Sequence, residues 1–543
     1  MKKHDLRAFL KLLKKEDEIQ VIDHKVDTTL ELANIHREEK TKNNKALLFS
    51  NVGHSPYTIA TNLFGSKKRI ELALPTHPEK RLQDLLELTP QLQLLHLGKR
   101  KRFFNSFKKI ENPNLNDLPF IKCAPKDGGF FMTLGATYTQ HPHSGKENLG
   151  LYRLQRHSAK EVGVHMQIEK GGGFHYHEAE KRNEPLETSI FLGLSPALLL
   201  SSIAPLPENI SELLFASFLQ NKKIDFSKNG PHPLLNDAEC VLKGKMHPFQ
   251  RKNEGPFFDH YGCYDNETPF PYMQLETIYQ KKNPIIPHTI VGQYDDEDAT
   301  IGIFLQELFA PLIKFVMPTI RELWSYPEAG FHTLTGAIID ERYEKEALKT
   351  AFKILSEGQL SLTKFLILTD TSCAIRKPKE LLEAALARFD PQKGFLILSH
   401  TAQDSLDDTG PKKNHGSKAI LIGTGKEKRK LPDTFEGPLP FLLTKASLLC
   451  KGALLIEGPE YTEMPDPSPL FQYQQFVSFP LLILVDEGIS SLSEKELFFE
   501  LFKRFEPGSD IFSKEKTIVR NGVSFSLPLL IDARRKPQHG ASL

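Results

Sequence analysis

The chain has 543 residues, 39% hydrophobic and 25% charged, an ordinary globular composition too long for one core, so about two to four domains are expected. A formal net charge of +2 gives no field that would argue for nucleic acid or an anionic membrane surface. The cysteines, Cys123, Cys240, Cys263, Cys373 and Cys450, form no CxxC pair, so neither a zinc ribbon nor a disulfide framework is suggested, and a reducing cytoplasm fits best.

The N-terminus, Met1-Lys-Lys-His-Asp-Leu, has no apolar core behind its basic residues, and the sequence shows no evident apolar run of membrane-spanning length. A soluble, cytoplasmic protein is expected, one still able to act on a lipid-tailed molecule. Residues 5–15 place apolar groups at helical spacing behind Asp5, a natural N-cap. Ala46-Leu-Leu-Phe-Ser-Asn-Val and Tyr57-Thr-Ile-Ala-Thr-Asn-Leu read as short buried strands around the turn Gly53-His-Ser-Pro56.

From about Leu118 to Pro311 the pattern changes to short β-rich runs: Phe130–Tyr138, Ala238–Gly244, Tyr272–Tyr279 and Thr289–Gly292. Such spacing predicts a small barrel or sandwich, interrupted by a helix over Asn209–Leu219. The apolar stretch from Ile303 to about Trp324 is read as helix, kinked or broken at Pro311 and Pro318.

The final third contains a repeat. Phe365-Leu-Ile-Leu-Thr-Asp370 recurs as Leu481-Leu-Ile-Leu-Val-Asp486, and Glu380 and Pro391 recur as Glu496 and Pro507, each displaced by 116 positions. A closing element, Ala419–Lys426, resembles Pro528–Arg535. Equal displacement of strand and helix implies duplication of one α/β unit, and two copies are too few for a solenoid.

Two segments carry the chemistry. Asn148-Leu-Gly-Leu-Tyr-Arg153 supplies an amide and a guanidinium; Glu254-Gly-Pro-Phe-Phe-Asp259-His-Tyr-Gly262 supplies two carboxylates. Arg153 suits bidentate capture of an acid substrate. Neighbouring carboxylates push their pKa values apart, leaving one able to carry a proton near neutrality. Other groups are discounted: His175-Tyr-His177 reads as one side of a strand-like segment, Gly171-Gly-Gly173 as a turn or a phosphate cradle, and Lys99-Arg-Lys-Arg102 as a solvated linker.

Asp5-Leu-Arg-Ala-Phe-Leu, Asn62-Leu-Phe-Gly-Ser, Asn148–Arg153, Ala204-Pro-Leu-Pro207 with Ser211-Glu212, Glu254-Gly-Pro-Phe257, Asp259–Gly262 and Gly416-Ser-Lys418 follow one another in the order and approximate spacing of the UbiD decarboxylases. The resemblance covers about residues 1–430. It implies removal of carbon dioxide from an aromatic or unsaturated acid with prenylated FMN.

By that resemblance Asn148 and Glu212 are ligands for manganese against the cofactor phosphate, with potassium nearby. Leu151-Tyr152-Arg153 matches one cofactor-binding strand, and His165-Met166-Gln167 with Lys170-Gly171 a second, Gly416-Ser-Lys418 being a further candidate for the phosphate. Arg153, Glu254 and Asp259 match the catalytic trio, Asp259 as proton donor. Three departures stand out: Phe258 where the family has glycine, Gly171 where some members have a third, histidine metal ligand, and a short segment between the Glu212 helix and Glu254.

The architecture implied is α/β multidomain: an N-terminal α/β domain (1–115), a central split β-barrel of flavin-reductase type (116–311), a connecting helix (312–330), a C-terminal α/β domain (331–431) and the duplicated α/β unit (432–543), read as serving assembly or pocket closure. The implied partners are an aromatic acid, either a polyprenyl-hydroxybenzoate of ubiquinone synthesis or a naphthoate of menaquinone synthesis, a flavin prenyltransferase, and further copies of the chain in a dimer or hexamer. Peripheral membrane contact would come only through a lipid-tailed substrate. The other readings are a non-catalytic protein for cofactor binding or assembly, and a flavin reductase, for which no dinucleotide fingerprint is present.

Overall fold

The computed structural model describes residues 5–53, 55–74, 76–86, 97–103, 106–166, 170–206, 210–519 and 522–537. The chain divides into two compact units, Met1–Leu308 and Phe309–Ala541.

The first unit opens with the helix Leu6–Lys15, capped where the Asp5 side chain accepts the Ala8 N–H at 2.9 Å. Leu6, Phe9, Leu10 and Leu13 form its buried stripe. Strands Ile19–Ile22, Ala46–Phe49 and Thr58–Thr61 follow, and Ile285–His288 returns from far along the chain to complete this four-stranded sheet. The strand thus lies just before the expected Thr289–Gly292 run.

The centre of the unit is a larger sheet. Cys240–Glu254, Leu186–Leu192, Phe131–Gln140, Glu147–Arg156, Glu161–Val164 and Thr268–Gln280 pair in that order, and Thr268–Gln280 pairs back antiparallel onto Cys240–Glu254. The six strands therefore close into a ring, packed around Met132, Tyr152, Leu154, Ile190, Leu242 and Met273.

The basic run Lys99–Arg102 departs from expectation. Lys99–Lys101 is a strand parallel to Ile224–Phe226, with Arg100 Nε 2.6 Å from Asp225 Oδ1 and Lys99 paired to Glu147. Opposite charges from distant segments convert a solvated stretch into a paired one.

Two further expectations are corrected at the passage between the units. The helix runs Glu297–Val316 with Pro311 inside it, and Trp324 lies in the strand Ile320–Ser325, so 312–330 is not one connecting helix. Among the described residues this helix is long and apolar enough to cross a membrane by length and composition, at a mean hydropathy of 1.5, although the sequence reading saw no such run. Ile301, Leu305 and Leu308 along it are buried against the protein.

The second unit holds two five-stranded sheets. The first is ordered Ile320–Ser325, Leu334–Ile339, Phe365–Thr369, His415–Gly423, Phe395–Ala402; the second, Lys445–Cys450, Ala453–Glu457, Leu481–Val485, Leu529–Asp532, Ile511–Ser513. Each has an antiparallel first pair, two parallel pairs and an antiparallel last pair. Strand Phe365–Thr369 and helix Pro378–Leu386 recur, 116 positions on, as strand Leu481–Val485 and helix Glu494–Phe502.

Candidate active site

Glu254 ends the ring strand Cys240–Glu254, and the loop after it is clamped from several sides. Gly255, at φ +97°, donates its N–H to Gln155 Oε1 at 2.9 Å, and Gly128 N–H reaches Pro256 O at 2.7 Å. A Cβ on Gly128 would stand 1.8 Å from Gly255 O, so only glycine permits this approach. The buried Asp127 carboxylate gathers the N–H groups of Cys123, Ala124 and Phe258 at 2.8–3.0 Å. Asp265 Oδ1 accepts the Phe257 N–H at 2.7 Å.

Strand alternation puts Arg153 and Gln155 on one face of Glu147–Arg156, and both meet this loop. Arg153 Nε lies 2.5 Å from Glu254 Oε1, Nη2 pairs with Asp265, and the guanidinium carbon stands 4.8 Å from the centre of the Phe257 ring. His165 Nδ1 is 3.0 Å from the other Glu254 oxygen. Burial alone would raise the Glu254 pKa, but the charge of Arg153 and the bond to His165 bring it down to about 2. Burial acts to lower the Arg153 pKa, and Glu254 and Asp265 outweigh it and hold it above its ordinary value. Burial and Arg153 lower the His165 pKa, while the Glu254 carboxylate it faces acts in the opposite direction.

Asp259 lies in the same loop, 3% exposed. Its Oδ1 accepts the Tyr261 N–H at 2.8 Å, and its charge acts on Arg153. The structure thus assembles Arg153, Glu254 and Asp259 in one buried place and adds Asp265, which the sequence reading missed; the signal available was a further acid in the same loop. His165, read as part of a cofactor strand, sits against Glu254.

Phe258, which stands where the family has glycine, is absorbed away from Asp259. Its ring packs on Tyr264 at 5.1 Å between centroids and occupies space that a Cβ on Gly292 would enter, 2.1 Å from Phe258 Cε1.

A second cluster gathers around the start of the helix Gly171–Arg182. Glu212, first residue of the helix Glu212–Leu219, accepts the Leu149 N–H at 3.0 Å; burial pushes its carboxyl up to about 7 despite that bond. Asn148 is buried, its Nδ2 has no hydrogen-bond partner, and its Oδ1 stands 2.1 Å from where a Gly171 Cβ would be. Gly172 N–H donates to the Tyr152 hydroxyl at 3.0 Å.

Lys170 is the residue preceding the helix, Leu151 is half-buried, and Met166 packs into the ring core. Gln167 lies outside the described residues. The expected second strand is shorter than read: Glu161–Val164 ends before His165, and Gly171–Gly173 is the first helical turn. His175 and His177 are accordingly helical, and His175 Nδ1 meets Thr139 Oγ1 at 2.8 Å. Among the described residues no group of three or more His, Cys, Asp and Glu is placed to hold a metal. An amide oxygen and a buried carboxylate beside glycine N–H groups at a helix start do suit a hard divalent ion bridging to a phosphate. The Glu212 carboxyl, raised by burial, suits the cation, and the unpartnered Asn148 Nδ2 donor suits the phosphate.

Gly416-Ser-Lys418, in the strand His415–Gly423, is committed within its own unit. Ser417 donates to Glu506 and accepts the Gly508 N–H at 2.6 Å, and Lys418 Nζ reaches Thr363 O at 3.1 Å.

This geometry coincides with comparisons across the whole chain. Residues 10–89, 98–294 and 299–423 match, respectively, the N-terminal, Rift-related and C-terminal domains of 3-octaprenyl-4-hydroxybenzoate carboxy-lyase. The protein belongs to the UbiD family of carboxy-lyases. A Chlamydia pneumoniae protein, named as one of the subunits of 4-hydroxybenzoate decarboxylase, is 40% identical over 98% of this chain and 94% of its own length. A Chlamydia trachomatis protein is 41% identical over 98% of this chain and 96% of its own.

Among solved structures, the vanillic acid decarboxylase of Sedimentibacter hydroxybenzoicus in closed form superposes with a TM-score of 0.71 at 21% identity, over 87% of this chain and 99% of that one. The UbiD-class enzyme HmfF from Pelotomaculum thermopropionicum in complex with prFMN does so at 0.63 and 21%, over 79% and 97%. These structural likenesses share the fold. The family match ends at residue 423, the last residue of the strand His415–Gly423, so the second five-stranded sheet lies beyond it.

Proposed function

We propose that the protein decarboxylates an aromatic carboxylic acid without oxidation, using prenylated FMN and Mn2+, with K+ nearby. The observation that carries this reading is Arg153 fixed by two buried carboxylates, Glu254 and Asp265, with a third acid, Asp259, in the same loop. Among the described residues Arg153 Nη1 is uncommitted, leaving donors for a substrate carboxylate. With its pKa at about 2, Glu254 is ionised at every working pH and serves to orient Arg153. The proton that replaces carbon dioxide is therefore assigned to Asp259. The clamped loop and the closed ring exclude water while that proton moves.

Asn148 and Glu212 would hold the metal, and Lys170, Gly171 and Tyr152 the phosphate end of the flavin, with Leu151 and Met166 lining it. When bound, the modified flavin supplies the electron sink that departure of carbon dioxide from an arene requires. The six-strand ring is inferred to be a split barrel of flavin-reductase type. A role in quinone synthesis, on the menaquinone branch, is the substrate assignment favoured, with a flavin prenyltransferase as cofactor supplier and a dimer or hexamer as the working form.

Co-expression with a flavin prenyltransferase and manganese tests the reading. Prenylated FMN at near-equal stoichiometry and carbon dioxide release from a hydroxybenzoate or naphthoate are expected. Unmodified FMN with nicotinamide oxidation would establish a flavin reductase instead, and cofactor retention with no release from either acid class would leave a non-catalytic binding protein.

A further inference from the structure

A cavity of about 810 Å3 opens at one end of the six-strand ring, where the N-terminal sheet meets the segment 110–120. Arg153, Glu254, Asp259 and Asp265 take no part in its lining. Its volume falls within the range of small-molecule pockets, and the mouth of a β-barrel is one of the places where these form.

Arg156 is the feature that asks for a ligand. Its guanidinium carbon lies 5.6 Å from the centre of the Phe120 ring and 4.9 Å from that of Phe130. Burial lowers its pKa, and among the described residues it makes no ion pair. A cation partly withdrawn from water is well placed to take an anionic partner. The acids at the mouth, Asp27, Glu31 and Asp117, are solvent-exposed, and Asp27 and Glu31 are occupied by the backbone N–H groups of Thr29 and Asp27. Two aromatic neighbours leave the guanidinium edge as the recognising element, and an edge pairs bidentately with a planar carboxylate. Leu118, Tyr57 and Ile278 give the rest of the cavity an apolar wall.

We infer that this cavity is a second ligand site, taking a small aromatic carboxylate whose acid pairs with Arg156 and whose ring rests against Phe120, Phe130 and Leu118. It stands apart from the catalytic trio, because none of Arg153, Glu254 and Asp259 lines the cavity and Arg156 faces the side of its strand opposite Arg153 and Gln155.

Calorimetric titration of the purified full-length protein with 4-hydroxybenzoate, and with phenol as the probe lacking the acid, tests it. Binding is expected in wild type and in Arg153→Met, with Arg156→Met weakening it at least about tenfold and phenol failing to bind. Asn116→Trp, at an exposed lining position, leaves Arg156 in place and is expected to block the same event, so a poorly folded Arg156 variant does not decide the matter. Equal binding in Arg156→Met and Asn116→Trp, loss confined to Arg153→Met, equal binding of phenol, or no binding in wild type would each overturn the inference. Decarboxylation is not read, so failure of the proposed activity and failure of this site are separate results.

Discussion

Glu254 Oε1 lies 2.5 Å from Arg153 Nε, and neither side chain is more than one-tenth exposed. Removing one member of a buried pair strands the other charge at a cost of about 3–5 kcal/mol. Glu254→Ala is therefore expected to lower the unfolding midpoint more than Glu254→Gln, which keeps hydrogen-bonding atoms toward Arg153 and His165. The pH dependence follows from the same pair. The Glu254 pKa is depressed from 4.5 to about 2, so its stabilisation is fully present above about pH 4.5 and is lost as pH falls toward 2. Denaturant titrations over that window should show wild type losing stability more steeply than Glu254→Gln; parallel curves would refute the assignment.

Asp259→Asn separates binding from proton delivery. The amide preserves an oxygen for the Tyr261 N–H, so flavin retention and folding should match wild type. Removing a general acid lowers turnover by about 10²–10⁴, and the loss should fall in kcat with little change in KM. A mutant that decarboxylates at the wild-type rate would move the acid role to another residue.

The features legible in sequence were those set locally. Asp5 as a cap, the strands at Ala46 and Thr58, and the paired strand and helix repeating at 116 positions all rest on short-range pattern. What escaped was decided by distant partners. Lys99–Lys101 became a strand because Ile224–Phe226 lies beside it. The segment around Trp324 became a strand because it pairs with Leu334–Ile339, whereas its apolar run alone resembled a helix. The site shows the same division: Arg153, Glu254 and Asp259 carry motif signals, but Asp265 and His165 acquire their places only when the loop folds back on the ring.

Gly171 tests the metal and phosphate assignment without altering any donor. Its Cβ would fall 2.1 Å from Asn148 Oδ1, so Gly171→Ala must displace that amide or the helix start. Displaced ligands and their supports typically cost about 10–100-fold in metal affinity. Bound manganese per chain, measured by elemental analysis after dialysis, should fall together with flavin retention while circular dichroism stays unchanged. Full manganese occupancy in the variant would show that Asn148 is not a ligand.

The second five-stranded sheet is expected to be a structural requirement of the first. Phe365, on the central strand of the first sheet, meets both Phe502 and Phe505 at 6.2 Å, and Lys364 Nζ stands 5.3 Å from the centre of the Phe505 ring. Ser417 is bonded to Glu506 and Gly508 from the other side. Deleting residues 432–543 would expose Phe365 and strand Ser417, so a chain ending at 431 should be insoluble or unfold at markedly lower temperature. Phe505→Ala gives the graded version: Phe505 is 1% exposed, and truncating a buried phenylalanine costs about 3–5 kcal/mol. Calorimetry of the full-length variant should show the midpoint falling while flavin retention at low temperature persists. A truncated chain as stable as the full protein would return the duplicated unit to a role in assembly alone.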